Sequence, residues 1–178
     1  MKIFFLFLTM FFFLNCSEKT PHEIVNSDQI KYSFEHILNY NNEDTIFLKS
    51  QFDDCGEWGG HEELIKIYRS KRKITLTYKK FGVDCGVRDT TGTIVQNIKA
   101  SENISLSNSQ QLALMKYIND LLKFKFLNAE MSNSGNFFSL NNTKEDLKIS
   151  HYGNQPLLLK SYNDLMTVLK LPKVNSEK

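Results

Sequence analysis

A chain of 178 residues with 41% hydrophobic and 12% aromatic residues is too apolar for a disordered segment and long enough for one domain with a core of its own. Its formal charge of +2 is too small to support binding to nucleic acid or to another polyanion. No internal repeat or low-complexity tract divides it.

The N-terminus opens with Met1-Lys2 and an apolar run, Ile3 to Leu14, interrupted only by Thr9. The run is shorter than the ~20 residues a spanning helix needs and has the form of a secretory signal. It ends in Phe13-Leu14-Asn15-Cys16, which resembles the lipobox of bacterial lipoproteins. Phe13 and Asn15 stand where that family favours Leu and a small residue. The resemblance implies a signal peptide over 1–15, acylation of Cys16 (palmitate) and a membrane anchor in the cell envelope. Ser17 after the Cys resembles the outer-membrane sorting rule. One acyl chain anchors only marginally, at about 0.8 kcal/mol per buried CH₂; the triacylated Cys of the family would hold firmly. The alternative is an ordinary signal peptide that leaves Cys16 as a thiol.

Residues 16–27 are polar, contain Pro21 and read as a tether; 28–172 read as a single domain and 173–178 as a flexible tail. Ile30, Phe34, Ile37 and Leu38 predict a helix over 28–39, although Ile30, Tyr32, Phe34 and His36 also alternate as a strand would. Thr45 to Phe52 reads as a strand. Residues 63–81 read as a hairpin, because Ile74, Leu76 and Tyr78 alternate with Lys73, Thr75, Thr77 and Lys79. Gly82 to Gly92 is a loop, and Thr93 to Lys99 a further strand through Ile94, Val95 and Ile98.

Ser107 and Gln110 have capping-box spacing and open a helix over 108–124, with Leu114, Met115, Ile118, Leu121 and Leu122 on one stripe. Residues 131–136 read as a loop and 137–152 as a second hairpin. Leu157 to Leu159 read as a short edge strand. Ser161 is the expected cap of a last helix over 162–170, which Pro172 stops. Strands that do not alternate one-for-one with helices predict an α+β fold, a largely antiparallel sheet with the helices packed on one face.

The stretch Phe52 to Glu63 is the most unusual part of the chain. It holds Asp53, Asp54, Cys55, Glu57, the single Trp58 and His61. Export would place Cys55 and Cys85 in an oxidising compartment, and each sits in an Asp-Cys-Gly loop flanking the first hairpin. A disulfide between them is expected; no C-x-x-C is present to suggest redox catalysis. The acids and His61 could supply ligands to a hard cation, but their spacing matches neither the EF-hand loop nor H-E-x-x-H, since Ile65 stands where the second His would be. The expectation is therefore a solvated loop, with no metal site and no cofactor. Trp58 is expected to pack onto the sheet; an exposed anchor for a partner is the alternative. Arg69, Lys71, Arg72 and Lys73, extended by Lys79 and Lys80, form a basic hairpin tip that reads as a solvated turn, with anionic head groups as the alternative contact. His151 reads as a satisfied strand residue.

No nucleophile elbow, P-loop or dinucleotide fingerprint occurs. The expected role is a non-enzymatic binding or envelope-associated protein, held to the membrane through Cys16, that recognises a partner with the rigid loop Asp53, Asp54, Glu57, Trp58 and His61. Two alternatives are a metal-binding protein or metal-dependent hydrolase using residues 53–63, and an inhibitor or immunity-type protein that captures a protein partner.

Overall fold

The computed structural model describes residues 44–127 and 135–175. The expected signal peptide, Cys16, the tether, the helix over 28–39 and most of the loop over 131–136 lie outside the described residues. Six strands, β1 (Thr45–Gln51), β2 (Glu62–Ser70), β3 (Lys73–Gly82), β4 (Asn97–Ser105), β5 (Phe137–Asn142) and β6 (Lys148–Tyr152), form one sheet in the order β4-β3-β2-β1-β5-β6. All five pairings are antiparallel. Helices α1 (Asn108–Leu127) and α2 (Pro156–Leu169) pack on one face, so the α+β expectation holds, as do the two hairpins.

Period-2 alternation explains which face is covered. Ile46, Leu48, Ile65, Ile67, Leu76 and Tyr78 are buried, and the register sets Ile46 opposite Ile67, Leu48 opposite Ile65, and Tyr78 opposite Ile65. Directly opposed residues share a face, so these side chains form contiguous rows under the helices. Leu114, Ile118 and Leu121 of α1 and Leu158, Leu165 and Leu169 of α2 close the core from above. Each such side chain contributes on the order of 2 kcal/mol by leaving water. His151, on the covered face of β6, is buried and donates from Nε2 to the Leu121 carbonyl at 3.1 Å, the satisfied role expected of it.

The start of α1 is as predicted. The Ser107 N–H donates to Gln110 Oε1 at 2.9 Å, and the Gln110 N–H reaches back to Ser107 Oγ at 3.4 Å. The helix runs to Leu127, three residues beyond the expected end; Leu122 lies off the buried stripe, and Tyr117 takes a place on it.

Three expectations need correction. The fourth strand covers Asn97–Ser105 rather than 93–99, and Ile94 makes only an isolated bridge with Arg88. The strand lies at the sheet edge and is mostly exposed, so its polar run Ser101-Glu102-Asn103 carries no alternation to read. Leu157 to Leu159 are not an edge strand. They form the first turn of α2, which Pro156 opens at its first position, where the missing N–H costs nothing. Ser161 is thus inside the helix instead of capping it, and its hydroxyl donates to Asp120 of α1, tying the two helices together. Within the expected tail, Val174 exchanges two hydrogen bonds with the Asn163 side chain, at 2.8 and 2.9 Å.

Candidate functional site

At one end of the sheet the row under the helices turns polar. Lys80 lies opposite Glu63, Glu63 opposite Ser50, Ser50 opposite Phe138 and Phe138 opposite His151. This is the end from which the loop between β1 and β2 projects. That loop is closed by its own backbone: the Phe52 N–H donates to the His61 carbonyl at 3.0 Å, and the Cys55 N–H to the Gly59 carbonyl at 2.7 Å. Gly60 is required there, since a Cβ would stand 2.2 Å from the Phe52 carbonyl oxygen.

A disulfide joins Cys55 to Cys85, with the Cα atoms 5.5 Å apart, and fastens this loop to the loop between β3 and β4. The side chain of Gln96 adds two hydrogen bonds between the same segments, donating to the Gly60 carbonyl at 3.0 Å and accepting from the Glu62 N–H at 3.2 Å. Outside the bridge, the Arg88 guanidinium lies 4.7 Å from the centre of the Trp58 ring. Trp58 is 69% exposed. The expectation that it packs onto the sheet is corrected: the three-residue turn Gly56–Trp58 carries it away from the core, and Arg88 covers one face.

The predicted loop residues therefore divide. Glu57 and Trp58 face outward, while Asp53, Asp54 and His61 line a half-open cleft of about 840 Å³. Its far side is formed by α2 and the C-terminal segment through Pro156, Leu159, Asn163 and Val174. At its floor His61 stands between two carboxylates. Its Nδ1 meets Asp54 Oδ2, which also accepts the His61 backbone N–H at 3.0 Å, and its Nε2 lies 3.3 Å from Glu63 Oε1. Glu63 is 1% exposed yet fully partnered. Lys80 Nζ lies 3.0 Å from Oε1, and the Tyr162 hydroxyl of α2 donates to Oε2 at 2.5 Å. Phe52 stacks on the imidazole at 4.9 Å between ring centres and contacts Phe138 and Tyr162 beneath it.

The protonation states follow from these contacts. Burial pulls the His61 pKa down, but hydrogen bonds to Glu63 and Asp54 and the Asp54 charge outweigh it, and the net shift is upward. Burial pushes Glu63 up, and the hydrogen bonds from His61, Tyr162 and Lys80 overcome it, so the carboxylate is held below its ordinary range. Burial, then the charge of Glu63, hold Tyr162 protonated far above the usual phenol range. Tyr78 is driven up in the same way; its buried hydroxyl lies near the Glu63 charge without a hydrogen bond of good geometry. Asp54 and Glu63 thus face His61 and Lys80 within one contiguous cluster.

Chemically, this arrangement suits rigid recognition. The two carboxylates sit at opposite edges of one ring, so they cannot converge on a single ion. Among the described residues no group of three or more His, Cys, Asp or Glu side chains is placed to hold a metal.

Sequence reasoning placed Asp54 and His61 together but missed Lys80 and Tyr162, which join the cluster through Glu63. Lys80 is not part of the basic tip: it lies at the other end of β3, and Ser70 and Lys73 flank the tip itself. A signal for both Glu63 and Lys80 was present. Counting in twos from Ile67 and Ile65 puts Glu63 on the core face, and counting from Leu76 and Tyr78 puts Lys80 beside it. No family model, curated protein or solved structure matches the chain.

Proposed function

We propose that the chain is a non-enzymatic binding protein of the bacterial cell envelope, anchored by lipid on Cys16 and recognising its ligand in the cleft beside residues 52–63. The observation that carries this reading is the closed polar floor. Both ring nitrogens of His61 and both oxygens of Glu63 are engaged within the protein, so neither of these two groups is left free to exchange a proton with a substrate. The wall beside it is fixed by the disulfide and by Gln96, and a preformed wall lowers the ordering cost of binding. The disulfide also favours an oxidising, extracytoplasmic location, as the lipobox resemblance does.

A photoreactive residue at Lys160, on the cleft rim, should capture a discrete adduct in the native envelope. The same residue at Lys71, at the other end of the sheet, should not. Adducts at neither position, or equally at both, would sink the binding reading. The anchor has a separate test: Cys16→Ala should leave the precursor unprocessed or release the protein from membranes, and unchanged fractionation would exclude lipidation. The exposed Trp58 clasped by Arg88 favours a second reading, capture of a protein partner, because Trp and Arg dominate interface hot spots. In that case Trp58→Ala abolishes capture and leaves the cleft adduct intact.

A further inference from the structure

His61 faces a carboxylate oxygen at each ring nitrogen, Asp54 at Nδ1 and Glu63 at Nε2. A carboxylate only accepts hydrogen bonds, and neutral imidazole has one N–H to give. In either neutral tautomer the other ring nitrogen would turn its lone pair toward a carboxylate. Only the doubly protonated ring satisfies both contacts. The ring cannot easily turn away, because one face lies against Phe52, which is buried among Phe138 and Tyr162.

The two carboxylates belong to different parts of the molecule. Asp54 belongs to the loop after β1. Glu63 belongs to the sheet, where Lys80 of β3 and Tyr162 of α2 also hold it. The remaining charged groups on this cleft are Asp53 of the loop, Lys160 of α2 and Lys173 of the C-terminal segment. The outer side of the same loop is held independently, by the Cys55–Cys85 bridge.

We propose that His61 is a proton-operated latch on the cleft. Doubly protonated, it ties the loop that carries Asp53 and Asp54 to the sheet and forms that wall of the cleft. Once it loses a proton, one of the two contacts becomes repulsive, and the inner side of the loop releases while the disulfide retains the outer side. The upward pull on the His61 pKa from its two carboxylates agrees with this, since it keeps the latch shut to a higher pH than an isolated histidine would. The latch depends only on the chain's own residues and stands whether or not the cleft proves to be the recognition site.

Trp58, the single tryptophan, lies in the same loop, three residues before His61, and its surroundings report on the release. In the full-length protein, acrylamide quenching of Trp58 and the imidazole NMR signals of His61 would be followed together from pH 5 to 9. The expected result is two ring N–H signals at pH 6, then loss of one proton above the ordinary histidine value, with increased Trp58 quenching at the same midpoint. Asp54→Asn, a change at an exposed side chain, should move both transitions to lower pH, and His61→Gln should abolish the Trp58 transition. The proposal is overturned if His61 titrates while Trp58 stays silent, if Asp54→Asn leaves the midpoint in place, or if His61 carries a single proton at pH 6.

Discussion

Glu63 is the residue on which the polar cluster depends. It is buried on the covered face of β2, and three donors from β3, α2 and the loop end converge on its two oxygens. Glu63→Gln removes the charge that His61 and Lys80 share, leaving two cations with Asp54 alone. Breaking a buried pair at one partner costs about 3 kcal/mol, which a urea titration would read as a lower midpoint at unchanged slope. The same residues set a pH window. The His61 pKa is higher in the folded state, so the stability it brings is complete below its ordinary value of 6.5 and is lost as pH rises through the folded value. The Glu63 pKa is lower in the folded state, so its contribution is complete above 4.5 and is lost as pH falls through the depressed value. Stability from this contact should therefore peak between pH 4.5 and 6.5, and in Glu63→Gln both limbs of the urea-midpoint profile should flatten. The acidic stretch was conspicuous in the sequence, but its chemistry was not. Five acids and a histidine look alike in a string, and only the strand period separates Glu63, which points into the core, from Glu62, which does not.

At the level of elements, the hairpin between β2 and β3 is the most legible and the most oddly built. Its strands were readable because apolar and polar residues alternate from Lys73 to Lys79 in β3. Its turn is Lys71-Arg72, flanked by the pair Ser70 and Lys73, and both central residues have positive φ, 50° and 65°. Positive φ at both positions marks the type I′ turn, which Asn-Gly suits and long side chains do not. Replacing Lys71 with Asn and Arg72 with Gly should raise stability by about 1 kcal/mol, read as an increase in thermal midpoint with the sheet register unchanged. A loss of stability would mean that the two basic side chains contribute contacts that outweigh the backbone strain. Elsewhere the sequence was harder to read, for definite reasons. The last helix begins at Pro156, five residues before Ser161, and the spacing Leu158, Tyr162, Leu165 and Leu169 spans the true start. Three consecutive leucines look equally like a short buried strand, and length alone would have decided between them. β4 is exposed along most of its length, so it forms through pairing with β3 and leaves no apolar imprint.

For the whole molecule, the disulfide determines how the cleft end of the sheet responds to reduction. Cys55 and Cys85 are 30 residues apart, and the segment they close contains the first hairpin. Closing a loop of that length is worth about 3.5 kcal/mol in the chain-entropy model. The core lies elsewhere, in the rows of β1, β2, β3 and β5 under α1 and α2, and none of those contacts needs the bridge. Reduction should therefore lower the thermal midpoint while leaving the far-ultraviolet circular dichroism of the native state unchanged. Its local effect should be concentrated where the two loops meet. Arg88 stacks on Trp58, and Gln96 bonds to Gly60 and Glu62; with the bridge gone, the loops are left to weak contacts such as these. Hydrogen exchange should accelerate at Cys55, Gly59 and Val95, whose N–H groups bond within this pair of loops, and stay slow at Ile65 and Leu76 in the central strands. Uniform acceleration over the sheet would show instead that the bridge supports the global fold. The contrast matters for the binding proposal, because a loop that loosens without unfolding the domain would weaken binding while the fold persists.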